Sequence, residues 1–130
     1  MGERIDSFKD LRVYQRAFDI QRAIFMLTKK FPREELFALT NQMRRASRSI
    51  GANIAEAWQK RCYIAHFVSK LSDADGEQAE TQHWIETAYA CEYITQDTKD
   101  ELIKVCKDAG RMLGKMMQEP KKWCGRFSEK

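Results

Sequence analysis

Residues 42–61 read QMRRASRSIGANIAEAWQKR. At 3.6 residues per turn this run places Met43, Ala46, Ile50, Ile54 and Ala57 on one narrow stripe, the pattern of a helix that buries a single face. Ala46, Ser47, Ser49, Gly51 and Ala52 crowd around the stripe, and small side chains let helix axes approach closely. Arg44, Arg45 and Arg48 sit beside it. Such a cluster requires solvent, acidic partners or phosphate, so the run bears on both fold and partner.

Working outward, the same periodicity predicts four helices. The first runs from about Leu11 to Lys30, with Leu11, Tyr14, Ala17, Phe18, Ile24, Phe25 and Leu27 as its apolar face and Ser7 or Asp10 as a cap. Phe31-Pro32 ends it, because proline disfavours helical geometry in the residue before it. The second helix is expected over Arg33 to Gln59, with Glu34 and Glu35 in its first turn where the helix dipole favours anions. A third is expected over Tyr63 to Glu92, with Gly76 marking a close helix crossing or a slight bend. A fourth is expected over Thr98 to Gln118. Four long helices joined by short loops predict an all-α protein, an antiparallel up-down-up-down four-helix bundle. The expected organisation is a lead-in over 1–10, the bundle over 11–118 and a basic, mobile tail over 119–130.

Composition supports this. With 130 residues and 43% hydrophobic content the chain can close one core, and two prolines and six glycines are too few for the many tight turns of a sandwich or barrel. No stretch approaches the roughly 18 apolar residues of a membrane span. The N-terminal MGERIDSF lacks a secretory apolar segment, and Asp6 stands where a myristoylation signal has Ser or Thr. A soluble, cytoplasmic protein without membrane association is expected. The cysteines (Cys62, Cys91, Cys106 and Cys124) form no C-x-x-C pair, and Cys91 and Cys106 fall on apolar stripes as expected buried thiols.

Charge is uneven along the chain. Residues 1–61 hold 13 Lys/Arg against 7 Asp/Glu, whereas residues 62–130 hold 10 against 12. Two readings follow: nucleic-acid binding by the basic half, or complementarity between a basic helix pair and an acidic one.

Catalytic and metal constellations are weak. Glu80 and His83 have the Glu-x-x-His spacing of carboxylate di-iron bundles, but His66, the other histidine, has Tyr63 where the second glutamate belongs. Asp73, Asp75 and Gly76 mimic part of a calcium loop, yet Leu71 and Gln82 occupy its first and twelfth positions. No glycine-rich phosphate loop is present, and two histidines on one acidic helix are poor material for a nucleophile. The expectation is no enzyme, no catalytic residue, no metal and no cofactor. Glu56, Glu77 and Glu80 lie beside apolar stripes and are expected to pair with Arg44, Arg45 or Arg48 across the bundle.

The order FKDLxVYxxA (Phe8 to Ala17), FPxEE (Phe31 to Glu35), LxxQxRRAxxSIxANIAE (Leu39 to Glu56) and ETQxW (Glu80 to Trp84) closely resembles the four-helix-bundle proteins encoded within ribosomal RNA intervening sequences. The same superfamily includes the accessory variability determinants of diversity-generating retroelements. The resemblance implies a homopentamer, a basic surface, and binding to structured RNA or to a retroelement reverse transcriptase. Where that family often has glycine after Asn-Ile-Ala-Glu, Ala57 stands here and lets the second helix run on through Trp58.

The leading expectation is a non-catalytic oligomeric protein that binds RNA or RNA/DNA and/or a reverse transcriptase through Arg12, Arg16, Arg44, Arg45, Arg48, Lys60 and Arg61, since guanidinium forks match phosphate. The alternative is a structural homo-oligomeric assembly module whose basic face packs subunits. Residues 62–101, with 2 Lys/Arg against 9 Asp/Glu, supply an acidic surface to receive it.

Overall fold

The computed structural model describes residues 4–125. Four long helices, α1 (Arg12–Thr28), α2 (Leu39–Gln59), α3 (Ile64–Ala90) and α4 (Gln96–Gln118), are followed by a short α5 (Pro120–Cys124). Each long helix packs against its sequence neighbours and α4 closes back onto α1, which gives the antiparallel four-helix bundle. No strand forms among the described residues, and none of their helices is long and apolar enough to cross a membrane.

The core follows the helical stripes. All five stripe positions of α2, Met43, Ala46, Ile50, Ile54 and Ala57, are fully buried. They meet Val13, Ala17, Ile20 and Ile24 of α1, Phe67, Leu71, Ala74 and Ile85 of α3, and Leu102, Cys106, Ala109 and Leu113 of α4. The helix runs through Trp58 to Gln59, as Ala57 allows.

Several boundaries and faces differ from expectation. Ser7 caps a single 3-10 turn over Phe8–Asp10 instead of α1 itself: its hydroxyl accepts from Lys9 N at 3.1 Å and the Asp10 carboxylate accepts from Ser7 N at 3.1 Å. Phe18, expected on the buried face, is exposed, because α1 buries Val13, Ala17, Ile20, Ile24 and Thr28 and this register leaves position 18 outside. The second helix begins at Leu39 and not at Arg33, since Arg33–Glu35 form only a 3-10 turn and Ala38 leaves helical geometry at φ −123, ψ −105. Glu35 therefore caps α2 from outside. Its Oε1 accepts from Leu39 N at 3.3 Å and its Oε2 accepts from the Tyr93 hydroxyl at 2.8 Å.

Cys91 is exposed, contrary to the expected buried thiol, because α3 ends at Ala90 and the chain turns through Glu92 at φ +63. Cys106 is buried, and desolvation pushes its thiol up to about 12. The close crossing lies at Gly110 instead of Gly76. A Cβ at Gly110 would come within 2.8 Å of Gln78 Nε2, whereas Gly76 is exposed with nothing within 4 Å of that position. Residues 120–124, expected as part of a mobile tail, form α5, which packs on α3 and α4 and buries Cys124. The remainder of that expected tail, 126–130, lies outside the described residues.

Candidate nucleic-acid interface

The arginine run of α2 divides between the two seams that flank this helix. Residues 44 and 48 are four apart and share a face, while residue 45 is rotated by about 100° from residue 44. Arg44 and Arg48 therefore turn toward α1, and Arg45 turns toward α3.

On the α1 side the receiving group is an aromatic ring. The Arg44 guanidinium lies 4.9 Å from the Phe25 ring centroid and that of Arg48 lies 5.7 Å away. Lys29, one turn beyond Phe25 on the same helix, brings its Nζ to 4.8 Å from the same centroid. Arg44 is fixed further by donating from Nε to the buried Thr28 hydroxyl at 2.9 Å, and that hydroxyl donates onward to the Ile24 carbonyl at 2.8 Å. Among the described residues none of these three cations has a carboxylate partner. The ring meets these cations without supplying a charge, and beyond the bond from Arg44 Nε to Thr28 neither guanidinium has a hydrogen-bond acceptor among the described residues. The seam thus offers three positive charges around one ring, with arginine forks suited to a tetrahedral oxyanion.

On the α3 side the receiving groups are acids. Arg45 contacts Glu80 directly and reaches Glu77 at 3.5 Å. The Trp84 indole N–H donates to Glu80 Oε2 at 3.0 Å, and this bond, followed by that from Arg45, holds the Glu80 carboxylate below its ordinary range. The Glu80 hydrogen bond in turn raises the Arg45 guanidinium. Glu56, also expected to meet an arginine, pairs instead with Lys70 of α3 at 3.0 Å.

The other expected contacts are dispersed. Arg16 opens onto a surface depression of about 510 Å³ shared with Asp108, Arg111 and Lys115 of α4, where Arg111 contacts Asp108. Arg12 shares a recess of about 200 Å³ with Lys115, Lys122 and Trp123. At the end of α2, Arg61 stacks 3.9 Å from the Trp58 ring and donates to the Trp58 carbonyl at 2.7 Å, where helix C-termini favour a cation, and Lys60 is exposed beside it. The seven residues are therefore not one patch.

Phe25 and Lys29 were missed by the sequence reading, as were Arg111, Lys115 and Lys122. The i, i+4 spacing of Phe25 and Lys29 was available as a signal. Their meeting with Arg44 and Arg48 was not, because it depends on how α1 and α2 are rotated against each other. His83 of the Glu-x-x-His pair is exposed and stacks edge-on to Trp84. Among the described residues no group of three or more His, Cys, Asp or Glu is placed to hold a metal ion.

No curated protein matches the chain. A solved structure of a protein of unknown function, from the S23 ribosomal protein family of Bacteroides thetaiotaomicron VPI-5482, is similar at 30% identity with a TM-score of 0.75. The match covers 82% of this chain and 95% of that one. The 23S rRNA-intervening sequence protein family matches residues 9–115, which span α1 to α3 and nearly all of α4, and the chain belongs to that family.

Proposed function

We propose that this protein is a non-catalytic, oligomeric RNA-binding protein whose principal phosphate contact is the Lys29, Arg44 and Arg48 cluster around Phe25. The observation that carries the reading is the pairing of three cations with one aromatic ring and no acid. Like charges held this close raise one another's energy unless an anion joins them, and a polyanion with regularly spaced phosphates is the natural anion. Arg12 and Arg16, with Arg111, Lys115 and Lys122, form a second basic surface on the α1–α4 side for a folded RNA wide enough to reach both. Recognition by such groups reads charge and shape, not base sequence. A reverse transcriptase carrying its template RNA would present the same phosphate chemistry and is the partner suggested by the resemblance to retroelement accessory proteins.

Arg45 favours the structural alternative at one position, since its charge is already met by Glu77 and Glu80. The two readings separate by titrating a fluorescent RNA hairpin at several salt concentrations. RNA binding through phosphate predicts an affinity that falls steeply between about 50 and 200 mM salt. Absent or salt-independent binding would leave the basic residues with a packing role alone.

A further inference from the structure

The least expected side chain on the surface is Phe37, which is 90% exposed. Leu36 beside it is 42% exposed, and together they form an apolar knob on the α1–α2 connection. The knob is held firmly. Glu35, immediately before it, is tied to Leu39 N and to the Tyr93 hydroxyl, and the Leu36 N–H closes the 3-10 turn onto the Arg33 carbonyl at 3.1 Å. An aromatic ring presented on a fixed turn is an unusual use of a large apolar side chain in a solvated position.

A matching hollow lies between α1 and α4, the loosest of the four helix seams. It measures about 290 Å³ and is lined by Ile20, Ala23, Leu27 and Leu102, with Asp19 and Glu101 at its rim. Neither rim acid has an ion-pair partner among the described residues. Around the knob, the exposed Lys30 and Arg33 outnumber the exposed Glu34. Shape and charge are thus complementary: an aromatic ring with a basic collar, and an apolar hollow with an acidic rim.

We propose that Phe37 of one copy seats in the α1–α4 hollow of a second copy, with Lys30 and Arg33 facing Asp19 and Glu101. The knob does not fill the hollow of its own chain, since Phe37 is 90% exposed. Knob and hollow are different surfaces, so the contact is heterologous, and each copy keeps one of each to continue the assembly into a closed ring or a filament. This deepens the oligomeric part of the proposed function and is independent of where RNA binds.

Light scattering during size-exclusion chromatography tests it on three proteins whose helical content is checked by circular dichroism. The wild type is expected to be an oligomer. Phe37→Glu, which spoils the knob, and Ala23→Trp, which fills the hollow at an exposed lining position, are each expected to be monomers. Mixed together they are expected to form a one-to-one dimer, because the first keeps an intact hollow and the second an intact knob. A monomeric wild type, an unaltered oligomer in Phe37→Glu, or a mixture that stays monomeric overturns the contact. Failure of the RNA reading is separately visible, as loss of RNA binding to wild-type protein whatever its assembly.

Discussion

The two sides of α2 receive the same residue type in opposite ways. On the α3 side Arg45 is neutralised by Glu77 and Glu80, and its site is electrically complete within one chain. On the α1 side Arg44 and Arg48, joined by Lys29, are positioned by a ring and a hydroxyl that carry no charge. A run of arginines is thus not one functional unit. A rotation of 100° per residue assigns neighbours to different seams, and the chemistry across each seam decides whether a cation holds the fold or awaits an anion.

Removing the charges from each side in turn has the largest expected effect. Arg44→Ala with Arg48→Ala is expected to weaken binding to an RNA hairpin on the order of 100-fold at low salt, and to flatten the logarithmic salt dependence by roughly two phosphate contacts. Arg45→Ala is expected to change affinity by less than about threefold, with both measured by fluorescence anisotropy. Equal losses on the two sides would erase the distinction.

Phe25 is the next handle, because only one seam uses an aromatic platform. Phe25→Ala is expected to cost about 2 kcal/mol of unfolding free energy in urea titration, since the half-buried ring contributes both apolar area and cation–π attraction. Phe25→Leu keeps most of the area and is expected to cost about 1 kcal/mol. If the leucine variant were as unstable as the alanine one, the ring's electrostatic role would have no support.

A smaller effect is expected at Tyr93. Its hydroxyl is pushed up to about 12, chiefly because ionisation would destroy the hydrogen bond it donates to Glu35 and, with desolvation adding to this, would set two anions side by side. Tyr93→Phe is expected to lower stability slightly at neutral pH, read as a small fall in the urea midpoint. It should also speed amide hydrogen exchange at Leu39, whose N–H the same Glu35 accepts. Unchanged exchange there would show that the latch does not brace the start of α2.

The smallest effect belongs to the acidic seam. The Glu80 carboxyl is depressed in the folded state, by Trp84 first and Arg45 second, so its contribution is present above its unfolded value of about 4.5 and is lost as pH falls through the folded value. Trp84→Phe and Arg45→Ala are each therefore expected to reduce the loss of stability between pH 7 and pH 3, as read from urea midpoints. An unchanged pH dependence in both variants would show that neither contact depresses the carboxyl.

The fold was largely legible because burial follows periodicity. The α2 stripe from Met43 to Ala57 lies wholly in the core, and the break at Phe31-Pro32 falls where proline geometry requires it. What was not legible depended on long-range partners. Glu34 and Glu35 suit a helical first turn, yet Glu35 bonds with Tyr93, fifty-eight residues away, and α2 starts four residues after it. Gly76 had the right spacing for a crossing, but the crossing is at Gly110, where Gln78 fills the space. In the candidate site, the acidic partners of Arg45 were readable from the surplus of acids after residue 62. The role of Phe25 was not, because an aromatic residue on a helical stripe reads as core and its exposed face shows only once α1 and α2 are packed.

Whether Arg44 and Arg48 meet RNA while Arg45 stays within the fold is decided by following arginine side-chain Nε–H signals in ¹H–¹⁵N spectra as an RNA hairpin is added. The Arg44 and Arg48 signals are expected to shift with RNA and the Arg45 signal to stay in place. Movement of Arg45 with Arg44 and Arg48 unchanged would contradict this assignment.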